Sequence, residues 1–454
     1  MRNTLSAIMM IVLSGGPAIA GAGDQIYKLL PANGGIYDQF GNSVSVDGDM
    51  ALIGCFNDNA PAQDSGSAYL FDVNTGTQLA WMRPSDSHGS DNFGISTALS
   101  VNIAVIGADK NDDMGVDSGS AYIFDVSSGT QLAKILATDG DYDERFGFAV
   151  SISGEMVIVG APQHSTDLTY YSGSAYLFDI TDPANPVQVA ELLPADGADF
   201  AEFGYSVAIE GDRALVGAYC DDDNGDCSGS AYLYDISDPA NPVLINKLVP
   251  ADGAEADHFG SSVAMDAGVA VVGAKSDDDN GPNSGSVYVY DAATGNLNYK
   301  LLPDDGDAGD FFGNSVEVSG NIIAVGAIFD EPNGTRSGSA YLFDADTGQQ
   351  IVKVVPDDGA ENDNFGQSVA VTDGIMVAGA SGDNDNGFDS GSAYVFATGT
   401  NTCIADLDGD GDTDQADLGL LLAEYGNGAG GDLDGDGDTD QADLGLLLSD
   451  YNCF

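Results

Sequence analysis

The sequence predicts an all-β fold, a seven-bladed β-propeller of four-stranded blades closed by an N-terminal strand, followed by a small α-helical domain. Three observations predict it. A Phe-Gly pair recurs at Phe40, Phe93, Phe146, Phe203, Phe259, Phe312 and Phe365, spaced 53, 53, 57, 56, 53 and 53 residues apart. Each unit carries four short apolar segments, the pattern of a propeller blade repeated around a ring. Beyond the last unit, a twelve-residue acidic run occurs twice, each copy followed by leucines at helical spacing.

The units read in order as follows. The Phe-Gly segment opens each one, and about 15 residues later an apolar segment ends in Gly-Ala or its equivalent, at Gly54, Gly107, Gly160, Gly217, Gly273, Gly326 and Gly379. Gly-Ser-Ala-Tyr follows at Gly66, Gly119, Gly173, Gly229, Gly338 and Gly391, with Gly-Ser-Val-Tyr at Gly285. A segment of the QLAKIL type completes the unit. The seventh Gly-Ser-Ala-Tyr segment has no fourth strand after it, whereas an unpartnered one, Gln25–Leu30, precedes the first Phe-Gly. That strand is expected to complete the last blade and remove an exposed sheet edge.

The tail is the strongest chemical signal. From Asp406 and again from Asp432 the chain runs DLDGDGDTDQAD, 26 residues apart. The acids are Asp406, Asp408, Asp410, Asp412, Asp414 and Asp417 in the first copy, and Asp432, Asp434, Asp436, Asp438, Asp440 and Asp443 in the second. They fall at positions 1, 3, 5, 7, 9 and 12, with Gly411 and Gly437 at position 6. Alternating oxygens around a sharp glycine turn are what an EF-hand loop uses to wrap a hard cation. Two calcium ions are therefore expected here, with further ions possible in the propeller. Asp at position 12, in place of Glu, offers a shorter arm for bidentate closure. Leu418, Leu421, Leu422 and Tyr425, then Leu444, Leu447, Leu448 and Tyr451, each form an i, i+3, i+4, i+7 stripe on one helix. Residues 403–454 hold 13 Asp, one Glu and no Lys or Arg. Such a charge opposes compaction without metal, so folding of the tail is expected to be linked to calcium.

These features carry two resemblances. Residues 403–454, two loop–helix units joined through Gly426–Gly431, resemble a type I dockerin, which implies a cohesin-like protein as partner. Gln415-Ala416 and Gln441-Ala442 occupy positions where dockerins often carry other recognition residues. Residues 24–398 resemble the FG-GAP repeats of integrin alpha chains and bacterial surface proteins, with Val159-Gly160-Ala161-Pro162 giving the full GAP form. Integrin-type repeats place a DxDxDG calcium loop between the first two strands. Here that link is short, as in Val46-Asp47-Gly48-Asp49-Met50, and reads as a plain hairpin.

Composition bounds the rest. Arg2, the apolar run Ala7–Leu13 and Ala18-Ile19-Ala20 form a bacterial-type export signal over residues 1–20. The expected organisation is thus a leader at 1–20, a propeller at 21–398, a linker at 399–405 and the tail domain at 406–454. The mature chain is expected to be secreted or cell-surface associated, with no transmembrane anchor. A formal charge of −61 excludes nucleic acid as an electrostatic partner. Acid is supplied as 63 Asp against 10 Glu, the choice of turns and oxygen-rich loops rather than helices. Cys220 and Cys227 bracket one acidic loop and are expected to pair; Cys403 and Cys453 are placed to clasp the tail; Cys55 reads as a buried small apolar residue.

The propeller's acids concentrate in two kinds of loop. One set lies between second and third strands, at Asp221–Asp223, Asp277–Asp279, Asp383 and Asp385. The other lies between blades, at Asp304, Asp305, Asp307, Asp310, Asp357, Asp358, Glu361 and Asp363. In an up-and-down blade both kinds of loop emerge on one face of the disc, so that face is expected to be strongly acidic. It could be a solvated surface, a set of calcium sites bridging an acidic polysaccharide, or a trap for a cationic partner. The Asp two places before Phe-Gly reads as a turn former. Only His88, His164 and His258 exist, and neither a Gly-x-Ser-x-Gly elbow nor an HExxH stands out. The reading is a secreted calcium-binding adhesion or binding module for a protein or polysaccharide ligand. The alternative is a dockerin-borne polysaccharide lyase or hydrolase working on the acidic face.

Overall fold

The computed structural model describes residues 21–399 apart from 60, 61, 167, 195 and 373, together with 407, 415–425, 439, 441, 443, 444 and 447 of the tail. The expected leader and the pair Cys403 and Cys453 lie outside the described residues. Two compact units separate, one spanning Ala22–Thr398 and one containing the tail from Gly399.

The first unit is seven antiparallel sheets of four strands each. Blade one runs Val44–Asp47, Met50–Cys55, Ser67–Asp72 and Thr77–Met82, and blades two to six repeat this order. Blade seven takes Phe365–Thr372, Ile375–Ala380 and Ser392–Ala397 from the C-terminal side. Its fourth strand is Gln25–Leu29, paired antiparallel to Ser392–Ala397 with Gln25 opposite Phe396 and Leu29 opposite Ala393. The expected closure by the N-terminal strand is therefore the one observed.

Position within a blade explains each strand's sequence. Second and third strands, such as Ile103–Ala108 and Ser120–Asp125, are buried almost throughout because a neighbouring blade covers each face. A strand covered on both faces needs a continuous apolar run. The outermost strand is half-open to solvent instead: in Thr77–Met82, Thr77, Leu79 and Trp81 face solvent, and only the last residue of Thr130–Ile135 and Val187–Leu192 is fully buried. The link between first and second strands in blade one is a two-residue turn, with Asp47 paired to Met50 and Gly48 at φ +52°. This is the hairpin the sequence suggested, with no room for an integrin-type calcium loop.

The core lies between blades rather than inside them. Val105, Ile123 and Ile135 of blade two pack on Val157, Val159, Tyr176 and Phe178 of blade three, and equivalent clusters fill the other junctions. Each Phe of Phe-Gly is at most 1% exposed. Each meets the Tyr of its own blade's third strand edge to face, at centroid distances from 5.1 Å for Phe203–Tyr232 to 5.7 Å for Phe365–Tyr394.

Glycine makes these junctions possible. Gly66 closes the second-to-third loop of blade one at φ +80°, and a Cβ there would lie 2.0 Å from the Phe93 carbonyl oxygen of blade two. Phe93 N–H donates to Ser65 O at 3.1 Å, and the same bond recurs at all seven junctions, including Phe40 to Ser390 across the closure. Gly54, in the second strand, would place a Cβ 2.1 Å from Gly94 O of the next blade. No L side chain fits these contacts, which is why Phe-Gly, Gly-Ala and Gly-Ser recur in step.

Deleting residues 24–31 removes the fourth strand of blade seven and exposes a long edge. The truncated protein is expected to melt at least about 10 °C below the parent or to aggregate on refolding. Differential scanning calorimetry checks this, and an unchanged melting temperature would refute the role given to the closure.

Candidate ligand face

The strands fix where the acids go. Second-to-third loops and blade connectors do emerge together, and they converge on a group that sequence reasoning missed: the lysine of the fourth strand. Lys300 Nζ lies 3.0 Å from Asp252 of the incoming connector, 2.9 Å from Asp277 and 2.6 Å from Asp279 of the second-to-third loop. Tyr288, directly opposite Lys300 in the register, brings its hydroxyl to 3.0 Å from both Asp252 and Asp277.

Four other blades repeat the arrangement. Lys247 meets Asp196, Asp221 and Asp223 at 2.6–3.0 Å beside Tyr232, and Lys28 meets Asp358, Asp383 and Asp385 at 2.6–2.9 Å beside Tyr394. Lys353 binds Asp305 and Asp330 beside Tyr341. Lys134 binds Asp86 and Asp113 beside Tyr122, with Asn111 Oδ1 at 3.1 Å. The visible signal was a Lys in the fourth-strand segment of five units, as in QLAKIL, 12 residues after the Tyr of Gly-Ser-Ala-Tyr at Lys134 and Lys353. It reads as an ordinary exposed strand residue until the topology folds two loops over it.

The chemistry of each cluster follows from charge. Burial disfavours the ammonium, but the aspartates overcome this and hold the lysine above its usual range. Burial likewise opposes ionisation of Asp252, Asp196 and Asp305, yet the lysine bond holds all three below the ordinary carboxylate range. Acids that could have waited for calcium are thus already satisfied by an internal cation in five blades.

The aspartate two places before Phe-Gly behaves differently. Asp38, Asp91, Asp257, Asp310 and Asp363 are buried and accept a bond from a backbone N–H three residues earlier, as Ala360 N to Asp363 at 2.6 Å. The turn-forming role holds, although the bond runs backward along the chain rather than forward as in an Asx-turn. Burial first, then neighbouring aspartates, push Asp257, Asp310 and Asp363 up to about 6.

Aromatic side chains stand among these acids. At the junction of blades three and four, Tyr170 stacks on Tyr171 at 4.0 Å and meets Phe200 edge to face at 5.4 Å. Tyr170 is 51% and Phe200 52% exposed. Tyr37 and Phe388 form a like pair where blade seven meets blade one, both more than half exposed. On the axis, the first strands of all seven blades line a central channel. Glu317 is the one acid at the ring of small residues there that includes Ala98, Ala208, Ala264 and Ala370. Burial, opposed by its bond from Val318 N–H and aided by Asp266, pushes it up to about 7.

The cysteines fall as expected in the propeller. Cys220 and Cys227 form a disulfide across their acidic loop. Cys55 is a free, buried thiol at the position other blades fill with alanine, and burial pushes its pKa up.

Of the expected calcium ligands, Asp406, Asp408, Asp410, Asp412, Asp414, Asp432, Asp434, Asp436, Asp438 and Asp440 lie outside the described residues. Asp417 and Asp443 are buried, and Asp417 Oδ1 accepts a bond from Leu407 N–H at 2.6 Å. A helix spans Gln415–Glu424. Leu421 packs on Leu447, its counterpart one repeat later, with Leu418, Leu444 and Leu407 alongside. The apolar stripe is narrower than the spacing implied: Leu422 and Tyr425 are exposed, while among the described residues Leu407, Leu418 and Leu421 pack with Leu444 and Leu447. The second expected helix lies largely outside the described residues.

Seven four-stranded blades, joined through Phe-Gly, Gly-Ala and Gly-Ser, define the class of this protein as a seven-bladed β-propeller. The FG-GAP repeat family matches the chain over residues 24–71, 77–124, 130–178, 186–234, 243–290, 297–343 and 349–396. Those segments cover well over half the chain, which belongs to the FG-GAP repeat family. Each matched segment begins with the fourth strand of the preceding blade, the same one-strand offset that closes the ring. No curated protein matches the chain.

Replacing Lys300 by Met keeps the aliphatic stem but leaves three carboxylates facing one another. Breaking a half-buried ion cluster on one side is expected to cost about 2–4 kcal/mol. Adding Asp277→Asn should recover part of that loss. Denaturant unfolding of both variants checks it, and a single variant as stable as the parent would show the cluster to be energetically idle.

Proposed function

We infer that this chain is an exported binding protein whose propeller presents a preorganised ligand face. The observation that carries the reading is the lysine cluster repeated in five blades. It fixes acid-rich loops in place around exposed aromatic pairs without using them for chemistry. Aromatic faces beside fixed carboxylates suit the sugar rings and hydroxyls of a polysaccharide, or basic side chains of a protein. The FG-GAP fold is consistent with such a role, and fold alone does not assign one.

The tail is the second half of the proposal. The duplicated loops fit two calcium ions, held by Asp406, Asp408, Asp410, Asp412, Asp414 and Asp417, and by Asp432, Asp434, Asp436, Asp438, Asp440 and Asp443. With calcium bound they form a dockerin-like plug for a cohesin-like partner. The mutual packing of Leu421 and Leu447 supports a compact, two-fold unit. The export signal read in residues 1–20 supports an assembly outside the cell, where calcium is plentiful.

Two immobilised baits separate these roles. The full chain and a chain ending at residue 398 are presented to the secreted polysaccharides and envelope proteins of the source organism, with calcium and with chelator. The full chain is expected to retain one protein only with calcium, and both baits to retain the same polysaccharide or protein ligand through the propeller. Replacing Tyr170 and Phe200 by Ala should weaken that second interaction at least tenfold. Turnover of a polysaccharide by the propeller would replace the binding role with a catalytic one.

A further inference from the structure

Blade three breaks the pattern of its neighbours at three linked positions. Opposite Tyr176 the fourth strand carries Glu191 where five blades carry lysine. In the second-to-third loop, His164 takes the place of Asp221 and Asp277. The backbone proves the equivalence: Gly173 N–H donates to His164 O as Gly229 does to Asp221 O and Gly285 to Asp277 O. Before Phe-Gly, Glu144 stands where Asp257, Asp310 and Asp363 stand elsewhere. The internal cation is gone, and an imidazole has entered a set of carboxylates.

The geometry points to a divalent transition-metal site, of the zinc class, formed by His164, Glu191 and Asp139. One ligand atom from each residue lies within 4.8 Å of the other two. His164 is 8% exposed. Its Nδ1 is 2.9 Å from Glu144 Oε1, and Glu144 in turn accepts a bond from Asp141 N–H at 3.0 Å. In the neutral imidazole that contact puts the ring proton on Nδ1 and leaves the Nε2 lone pair for a metal, the carboxylate–histidine support typical of such ligands.

Among the described residues Nε2 makes no hydrogen bond, and it faces Glu191 Oε1 at 3.6 Å. The imidazole closes on Glu144 at Nδ1, at 2.9 Å, whereas Nε2 stands farther from Glu191 than the 2.6–3.0 Å at which the lysines meet their carboxylates. Bonds of ~2.0–2.2 Å in a tetrahedron instead hold ligand atoms about 3.3–3.6 Å apart. One nitrogen with two carboxylate oxygens suits zinc, cobalt or manganese better than the all-oxygen shell calcium prefers. Three protein ligands leave a fourth position for water or a bound molecule. Asp139 is exposed, so that position is reachable from solvent, and the Tyr170–Tyr171–Phe200 group belongs to the same blade's loop and the connector that follows.

The test uses the full-length protein, freed of metal by chelator and kept in excess calcium so that the tail is not read out. Cobalt(II) is titrated in and followed by its visible absorption, then displaced by zinc in a calorimeter. One equivalent per chain is expected, with the intense bands of a four-coordinate ion. The double variant His164→Asp, Glu191→Lys gives blade three the lysine and two aspartates of blade six, where Lys353 meets Asp305 and Asp330, and should fold while losing affinity at least 100-fold. Glu144→Gln, which disturbs only the support of His164, should weaken binding about 10–100-fold. Absence of a stoichiometric cobalt spectrum, or equal binding by the double variant, would overturn the assignment.

Discussion

Everything in the propeller depends on how closely two backbones approach at the blade junctions. The amide of each Phe-Gly phenylalanine binds a carbonyl of the previous blade, and the glycine that follows that carbonyl sits against the phenylalanine backbone. Adding a methyl group at Gly66 would bring it to 2.0 Å from an oxygen that cannot move without displacing the next sheet. The aromatic ring is then driven under the neighbouring tyrosine, and the apolar faces of adjacent sheets close over it. Burial of this kind supplies the energy, but the glycine contacts set the distance at which it is gained. Because the junction repeats seven times and closes through Gln25–Leu29, each blade is held from both sides.

The same junction shapes the ligand face. Phe-Gly and Gly-Ser lie at the roots of the connectors and second-to-third loops, so fixing them fixes the loops. Above these roots, lysine draws carboxylates from two loops onto one ammonium and ties the loops to the outer strand. A surface with so many aspartates would otherwise repel itself. The internal lysines spread neutralising charge evenly around most of the ring and leave the outer carboxylates and aromatic pairs for contact with a partner. Blade three departs from this scheme by exchanging ammonium for imidazole and carboxylate, which turns a structural cluster into one with a free nitrogen lone pair.

Much of this was legible in the sequence, for physical reasons that differ from feature to feature. The blade count, the closure by the N-terminal strand and the shared acidic face came from repeat spacing and the alternation of loops, which topology leaves little freedom to alter. The Cys220–Cys227 pairing and the burial of Cys55 were equally readable. The lysine clusters were not, because Asp252, Asp277 and Lys300 are far apart along the chain and only the register brings them together. The departure in blade three was hidden for the same reason: His164 and Glu191 look unrelated until Gly173 and Tyr176 align them with their counterparts. In the tail, the helix and the packing of Leu421 were anticipated, whereas Leu422 and Tyr425 proved exposed, since helical spacing cannot tell how much of a stripe a partner covers.

The claim that the ligand face is preorganised by the blade junctions is tested most directly by native-state hydrogen exchange of the junction amides. Phe40, Phe93, Phe146, Phe203, Phe259, Phe312 and Phe365 each donate one such bond. If the junctions hold the face, these amides exchange as slowly as the buried strand amides of Val105 and Val271, through global unfolding only. Exchange orders of magnitude faster, with the central strands still protected, would mean that the loops open independently of the ring. The face would then be a set of mobile turns rather than a fixed surface.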